Sequence, residues 1–161
     1  MTRSVRQFYS GYVEKEWTRF LKDQYHRLEF DTTLEFLRRY LPKEGLILDA
    51  GGGLGRYTVE LAKRGCDVIL LDYTPANLRF AEKQIESEGV GKRVKGVVEG
   101  TIVNLARFSG GSFDAVLCLG GPLSHVMLER DRRRAITELV RVARKGSPIF
   151  ISVISRLRLG N

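Results

Sequence analysis

Thiols and long apolar runs are both scarce in this chain. Cys66 and Cys118 are the only cysteines in 161 residues, and neither has the paired His/Cys spacing that a metal site needs. We therefore expect no metal site and reduced, packed thiols rather than a disulfide, which fits a cytoplasmic protein. No window approaches about 18 uninterrupted apolar residues, so no membrane span is expected. The first residues also lack the apolar stretch of a signal peptide.

Basic residues are abundant, with 27 Lys and Arg against 19 Asp and Glu. The excess is concentrated at one end, since nine basic and three acidic side chains follow residue 126. We interpret this as the solvated face of a helix whose other face, with Ile136 and Leu139, packs on a sheet. A nucleic-acid footprint is the less favoured interpretation, because no aromatic residues interleave with the arginines.

The most informative motif is an apolar run that ends in a glycine-rich loop. Residues 46–50 predict a buried strand, a helix-period segment follows the loop, and four of five loop residues are glycine: Gly51, Gly52, Gly53 and Gly55. Strand, glycine loop and helix in this order let the backbone approach a nucleotide-like ligand closely. Asp72 ends a second apolar run, 17 residues after Gly55, a spacing that suits an acid reaching ribose hydroxyls.

The spacing of the glycines argues against two common phosphate-binding loops. Arg56 stands where the third glycine of the dinucleotide fingerprint belongs, and no Gly-Lys-Ser/Thr follows, as a P-loop requires. Asp49 beside the loop repels a pyrophosphate but tolerates a zwitterionic amino acid next to a sulfonium. An NAD-binding oxidoreductase domain therefore remains only as a disfavoured alternative.

These residues resemble the first two motifs of the class I S-adenosylmethionine-dependent methyltransferases. Asp49, Gly51, Gly53 and Gly55 match the family's acid-x-Gly-x-Gly-x-Gly motif, and Asp72 matches the acid that ends its second strand. The resemblance covers roughly residues 45–155 and includes 113–116, which resemble the Phe-Asp-x-Val that opens strand four. It implies a Rossmann-like, doubly wound, mostly parallel α/β sheet with helices on both faces, and S-adenosylmethionine as the cofactor.

The resemblance also implies roles for single residues toward that cofactor. Gly51, Gly52 and Gly53 would cradle its amino-acid part, and Asp49 would receive the ammonium directly or through water. Asp72 would accept hydrogen bonds from the ribose hydroxyls. The remaining positions are Tyr73 beside the adenine face, Thr101 (or Glu99) and Ile102 at the adenine edge, Leu119 and Gly120 under the sulfonium, and Tyr12 from the N-terminal segment.

Methyl transfer from a sulfonium needs mainly proximity and alignment. We predict His125, after strand four, as the candidate general base, or else as a loop histidine that shapes the pocket. His26 is expected on the surface or in a lid. The loop after strand four lacks the Asn/Asp-Pro-Pro-aromatic motif of enzymes that methylate amino groups of bases or glutamine. Cys118 lies within the strand, whereas cytosine-C5 enzymes need a nucleophilic cysteine after it. The loop and the N-terminal helical lid resemble those of enzymes that act on small molecules. The alternatives are a non-catalytic S-adenosylmethionine-binding module and an RNA or protein methyltransferase.

The element pattern predicts one methyltransferase-like domain over 1–161, with an N-terminal helical lid (1–44) and a cofactor-binding core (45–155). Helical periodicity over 10–40 is interrupted near 30–31, and Thr74 is expected to cap a following helix. Strands are predicted at 46–50, 67–72, 94–99, 113–119 and 148–154, and helices at 55–64, 75–88 and 129–145. The family's sixth and seventh strands are missing, so we expect a truncated chain whose open edge pairs in a homodimer.

Overall fold

Five strands form a single parallel sheet in the order β3-β2-β1-β4-β5. The computed structural model describes residues 13–154, without the side chains of Glu14, Arg19 and Phe20. The strands are β1 (Leu46–Ala50), β2 (Asp67–Asp72), β3 (Val94–Glu99), β4 (Ala115–Cys118) and β5 (Ile149–Ile151). The helices are α1 (Val13–Lys22), α2 (Gln24–Tyr40), α3 (Arg56–Lys63), α4 (Pro75–Ser87) and α5 (Glu129–Val142), with a 3₁₀ turn at Pro122–His125.

The strand order reverses direction between β1 and β4. From β1 the chain winds outward through β2 to β3, and it then returns to the other side of β1 through β4 and β5. In sheets of this kind the loops at such a switch point diverge, which opens a crevice at the carboxyl ends of the strands. The glycine loop after β1 and the loop after β4 therefore leave the sheet at the place where a ligand site is expected.

Helices cover both faces of the sheet, as the sequence pattern predicts. On one face, Leu34 and Leu37 of α2 pack with Leu61 of α3 against the central strands. On the other face, Leu139 of α5 packs with Phe113 and neighbouring buried side chains. These layers require near-continuous apolar strands, because a parallel sheet covered on both sides has no solvent-facing residues in its centre.

The N-terminal helices divide at a different residue from the one predicted. The break lies at Asp23, which caps α2 by accepting from the Tyr25 N–H at 2.9 Å. The predicted interruption near 30–31 is wrong, since α2 continues through it.

Trp17 of α1 contacts Phe80 of α4, with ring centroids 5.2 Å apart. That contact agrees with helix packing as its role.

Some further details of the helices and strands differ from the prediction for local reasons. The helix predicted over 129–145 ends at Val142, because the next residue, Ala143, forms an isolated β-bridge with Phe113. The N–H of Arg144 then donates to the Phe113 carbonyl at 2.8 Å. Phe113, the first residue of the strand predicted over 113–119, therefore pairs with Ala143 outside β4. Thr74 occupies the N-cap of α4 but its side chain makes no capping hydrogen bond, because the nearby Asp72 carboxylate binds this helix start instead.

Over residues 13–154, no helix has the length and apolar character needed to cross a bilayer.

Candidate functional site

A cavity of about 210 Å³ opens at the carboxyl ends of the central strands. Its walls come from the loops after all five strands and from the faces of α1 and α2. The lining residues are Val13, Glu16, His26, Glu29, Phe30, Thr33, Gly51, Gly52, Gly53, Leu54, Arg56, Tyr57, Leu71, Asp72, Tyr73, Thr74, Asn77, Gly100, Thr101, Ile102, Leu119, Gly120, Pro122, His125 and Ser152. The crevice expected at the switch point of the sheet is thus enclosed by the N-terminal helices.

The glycine loop after β1 is held tightly against its neighbours. Gly51 and Gly52 both donate their N–H groups to the Leu71 carbonyl, at 2.7 and 3.2 Å. A Cβ on Gly51 would lie 2.6 Å from Pro122, and one on Gly52 would lie 2.5 Å from the Asp49 carboxylate. These two glycines are therefore needed for the close approach of protein to protein. At Gly53 the backbone is left-handed (φ +57°), and the space around it is open.

Asp49 lies beneath this loop rather than in the cavity wall. Its side chain is 1% exposed, and its Oδ2 accepts from the Thr58 hydroxyl at 2.7 Å. Burial raises the pKa of Asp49 to about 6, against the lowering effect of the Thr58 hydrogen bond. A carboxylate that stays charged here at neutral pH has a large desolvation cost, so a cation near the loop would stabilise it.

Asp72 lines the cavity and connects three parts of the site. Its Oδ2 accepts from the Gly53 N–H at 3.0 Å, and its Oδ1 accepts from the Thr74 N–H at 2.9 Å and from Asn77 Nδ2 at 3.2 Å. Burial raises the pKa of Asp72, while these hydrogen bonds oppose the shift. The Thr74 side chain also hydrogen-bonds to this carboxylate, and Asp72 still lines the cavity, where a ligand hydroxyl can reach it.

The loops after β3 and β4 supply the rest of the predicted residues. Thr101 and Ile102 line the cavity beside Tyr73, whereas Glu99 is exposed and does not line it. After β4, the Gly120 N–H donates to the Ser152 hydroxyl at 2.8 Å. His125 follows at the end of the 3₁₀ turn. The structure therefore brings the candidate base to the same cavity as the glycine loop.

Most predicted site residues meet at this cavity. Those that line it are Gly51, Gly52, Gly53, Asp72, Tyr73, Thr101, Ile102, Leu119, Gly120 and His125. Asp49 and Gly55 lie in the layer behind it, where a Cβ on Gly55 would meet Ala81 at 3.0 Å. Tyr12 lies outside the described residues.

Sequence reasoning missed a polar face of α2. His26, Glu29 and Thr33 line the cavity at helical spacings of three and four residues. The sequence predicts His26 at the surface or in a lid, and the structure places it in the cavity wall. Its Nδ1 lies 2.7 Å from the Asp23 carboxylate. The spacing of three and four residues between these polar side chains is the sequence signal for this face of the helix, whereas the apolar residues of α2 predict only its packing face.

Arg56 and Tyr57, at the start of α3, face this part of α2. The Arg56 guanidinium lies 3.9 Å from the Phe30 ring centroid, and the Tyr57 and Phe30 rings are 4.9 Å apart. Burial raises the pKa of Tyr57, although a hydrogen bond with Thr33 opposes it. Among the described side chains that line the cavity, Arg56 is the only arginine or lysine.

Neither cysteine contributes to the site. Cys66 and Cys118 are free thiols and both are buried. Burial raises the pKa of Cys118 to about 12 and also raises that of Cys66, so neither is a thiolate nucleophile. Within residues 13–154, no group of three His, Cys, Asp or Glu side chains is placed to hold a metal ion.

The geometry suits an amino acid linked to a nucleoside. The loop leaves room beside Gly53, where a Cβ would come no closer than 4.0 Å to Asn77, and Asp72 lines the cavity at the second strand end. Asp49 supplies a buried negative charge behind the loop. An apolar floor that includes Ile102 and Leu71 completes the cavity. A ligand with a planar base, ribose hydroxyls and a cationic amino-acid end fits these features.

Comparison with known proteins points the same way. A family model described as "Methyltransferase domain" matches residues 47–146. A glycine/sarcosine N-methyltransferase from Parasynechococcus marenigrum is 29% identical over 155 residues, which cover 92% of this chain and 53% of the relative. A ubiquinone biosynthesis O-methyltransferase from Hahella chejuensis is 34% identical over 110 residues, covering 68% of this chain and 43% of the relative. The chain thus spans about half the length of these relatives.

A solved structure shares the fold. The crystal structure of a putative S-adenosylmethionine-dependent methyltransferase from Methanococcus maripaludis superposes with a TM-score of 0.71 at 19% identity. The match covers 86% of this chain and 61% of that one. At this level of identity the likeness establishes the architecture.

Proposed function

The chain belongs to the class I S-adenosylmethionine-dependent methyltransferase family, and we propose that it transfers a methyl group to a small-molecule acceptor. The observation that carries this proposal is the hydrogen bond between the Gly53 N–H and Asp72, at 3.0 Å. It joins the family's first two motifs into one wall of a single cavity. When bound, S-adenosylmethionine supplies a methyl group attached to a sulfonium, whose sulfur is a good leaving group.

We propose that the residues of the cavity divide the cofactor between them. Gly51, Gly52 and Gly53 would cradle the amino-acid part, with Asp49 stabilising its ammonium from behind the loop. Asp72 would accept from one ribose hydroxyl, because most of its acceptor positions already take hydrogen bonds within the protein. The remaining contacts would be Tyr73, Thr101 and Ile102 at the adenine, and Leu119 and Gly120 beside the sulfonium.

Asn77 is the additional residue in this assignment. Its Nδ2 donates to Asp72 at 3.2 Å and its side chain lines the cavity. The amide oxygen on the same side chain is an acceptor. We assign it the second ribose hydroxyl, so that Asp72 and Asn77 would bind the two hydroxyls together.

The small-molecule acceptor is supported by the chemistry named for the relatives. One methylates glycine and sarcosine, and another acts in ubiquinone biosynthesis. The basic C-terminal third gives little support to a nucleic-acid acceptor, because several of its arginines pair within the chain. Arg133 pairs with Glu129, Arg141 with Glu138, and Arg144 with Asp114.

The test is a binding and transfer experiment on the full chain. Calorimetry with S-adenosylhomocysteine should show binding, and NADH should not bind. Labelled S-adenosylmethionine with a panel of small amines and phenols should then yield a methylated product, detected by mass spectrometry. Binding without transfer to any acceptor would favour the non-catalytic module, and NADH binding alone would contradict the family-based proposal.

We further propose a single domain over 1–161, a cytoplasmic location and a homodimer. The buried free thiols support the location. The short edge strand β5 is followed by exposed Val153 and Ile154, which support pairing at that edge. Light scattering at micromolar concentration tests the dimer, and a monomer alone would exclude it.

A further inference from the structure

One cavity-lining residue, His26, is paired with Asp23 from outside the cavity wall, and the functional assignment above does not use this pair. Asp23 accepts from the Tyr25 N–H through Oδ1 at 2.9 Å, and its Oδ2 lies 2.7 Å from His26 Nδ1. His26 lines the cavity. The capping bond fixes the carboxylate, and the carboxylate in turn fixes the imidazole ring.

This geometry determines which ring nitrogen carries the proton. The hydrogen bond with His26 lowers the pKa of Asp23, so the carboxylate is ionised at neutral pH and only accepts. The donor must therefore be Nδ1–H, which leaves the lone pair of neutral His26 on Nε2. A histidine held in this tautomer by a carboxylate is arranged as a general base.

We propose that His26, oriented by Asp23, is the catalytic base that removes the acceptor's proton. This inference rests on the proposed methyl transfer. A bond forms between the acceptor nitrogen or oxygen and the methyl carbon, the carbon–sulfur bond breaks with its electron pair left on sulfur, and the acceptor proton moves to His26 Nε2. The acceptor class is therefore a small molecule with an N–H or O–H at the reacting atom. Asp23 is a positioning residue.

Other titratable groups share the cavity and bear on any pH profile. Tyr25 contacts the His26 ring edge to face, with centroids 5.7 Å apart, and Glu29 lies one turn further along α2. The other titratable side chains of the wall are Glu16, Arg56, Tyr57, Asp72, Tyr73 and His125. His125 is the competing base, so the experiment compares H26Q and H125Q directly.

The variants are chosen so that folding and base function separate. D23N keeps the N-cap when its amide oxygen accepts from the Tyr25 N–H, as Oδ1 does in the wild type. The amide nitrogen then faces His26 Nδ1 and donates to it, so the ring proton moves to Nε2. The exposed neighbour Arg27 gives the matched control R27Q, which should leave all readouts unchanged.

Two readouts test the proposal. Long-range ¹H–¹⁵N NMR of the full chain should show the Nδ1–H tautomer of His26 in the wild type and its loss in D23N. With glycine and sarcosine as probe acceptors, H26Q should lower kcat by about a hundredfold or more. D23N should lower it less, and S-adenosylhomocysteine affinity should stay unchanged in both.

An Nε2–H tautomer in the wild type would overturn the proposal, as would an H26Q kcat within threefold of wild type. A loss of activity confined to H125Q would assign the base to that residue instead. If neither probe is methylated, H26Q and H125Q are compared with whichever amine or phenol of the transfer panel is methylated, and a chain that methylates none of them overturns the proposal. Failure of the wild type to bind S-adenosylhomocysteine would refute the proposed function and leave the His26 tautomer as a separate result.

Discussion

The N–H of Gly53 donates to Asp72 Oδ2 across 3.0 Å, although the residues lie 19 positions apart. One residue belongs to the loop after β1 and the other ends β2. The bond positions the left-handed glycine beside a carboxylate that lines the cavity. It also couples the shape of the loop to the start of α4, because the same carboxylate accepts from the Thr74 N–H.

Replacing Asp72 should weaken cofactor binding. D72A removes a charged acceptor of one ribose hydroxyl, so S-adenosylhomocysteine affinity should fall by about 1.5–3 kcal/mol in calorimetry. The matched control is D67A, at the other end of the same strand, where the side chain pairs with exposed Arg93 and Lys95. Equal affinity in D72A and D67A would refute the ribose assignment, provided that unfolding curves show D72A to be folded.

Asp49 should make the ligand-free protein less stable as the pH rises. Its folded-state pKa of about 6 lies above the ordinary 3.8, so the folded state binds the proton more tightly than the unfolded state does. Stability from this group is present at low pH and is lost as the pH rises from about 4 through 6. D49N has no such titration. Its free energy of unfolding relative to wild type should therefore rise by about 3 kcal/mol across that window, as measured by urea unfolding.

The same variant should bind the cofactor less well at neutral pH. The loss of the buried negative charge removes the attraction for the cofactor's ammonium, so S-adenosylhomocysteine affinity should fall while the fold becomes less sensitive to pH. A variant that gains relative stability and keeps full affinity would show that Asp49 has no part in binding.

Thr58 should matter most when Asp49 is charged. T58V removes the hydroxyl that donates to Asp49 Oδ2 at 2.7 Å, which should raise the pKa of Asp49 further. At pH 8 the free energy of unfolding should fall by about 1.5–3 kcal/mol, and the deficit should shrink below pH 5. T58S keeps the hydroxyl and serves as the control. A T58V deficit that does not vary with pH would contradict this account.

Gly53 should be required for binding beyond its backbone conformation. Alanine there has to adopt φ +57°, and at Gly65 it has to adopt φ +92°, with open space at the latter. Both G53A and G65A should therefore lose about 1–2 kcal/mol of stability. Only G53A places a Cβ in the volume proposed for the cofactor, so only G53A should lose S-adenosylhomocysteine affinity, by about 1–3 kcal/mol. Equal affinities would show that this volume is not occupied.

The bounds of the first three strands were predictable and coincide with the prediction. β1 and β2 lie inside the sheet, where burial on both faces gives mainly apolar runs. β3 is the opposite edge strand and is only partly buried, yet Val94, Val97 and Val98 still identify it. The edge strand β5 covers only Ile149–Ile151 of the predicted 148–154. At an edge, pairing with a single neighbour determines where the strand ends, and apolar character beyond that point does not extend it.

The glycine loop and its two acids were also predictable, because spacing along the chain carries the motif. The division of labour between Asp49 and Asp72 was not. Both are acids at the ends of adjacent strands, yet Thr58 draws one beneath the loop and Gly53 holds the other in the cavity wall. Such side-chain partners come from tertiary packing, which strand and helix patterns do not specify.

The location of His26 shows the same limit. Its position in a helix was predictable, but which side of that helix meets the cavity depends on where α2 begins. Asp23 starts the helix and also holds the histidine. With the break placed near 30–31, Asp23 and His26 fall inside one predicted helix, so Asp23 is not recognised as the N-cap that also holds the histidine.

The burial of both native thiols makes the chain convenient for site-directed labelling. Cys66 and Cys118 are 4% and 0% exposed, and their raised pKa values keep them unreactive toward maleimides under native conditions. A single cysteine introduced on the outer side of α2 would carry a fluorophore without prior removal of the native pair. The emission of that fluorophore then reports whether the N-terminal helices change position when a ligand enters the cavity.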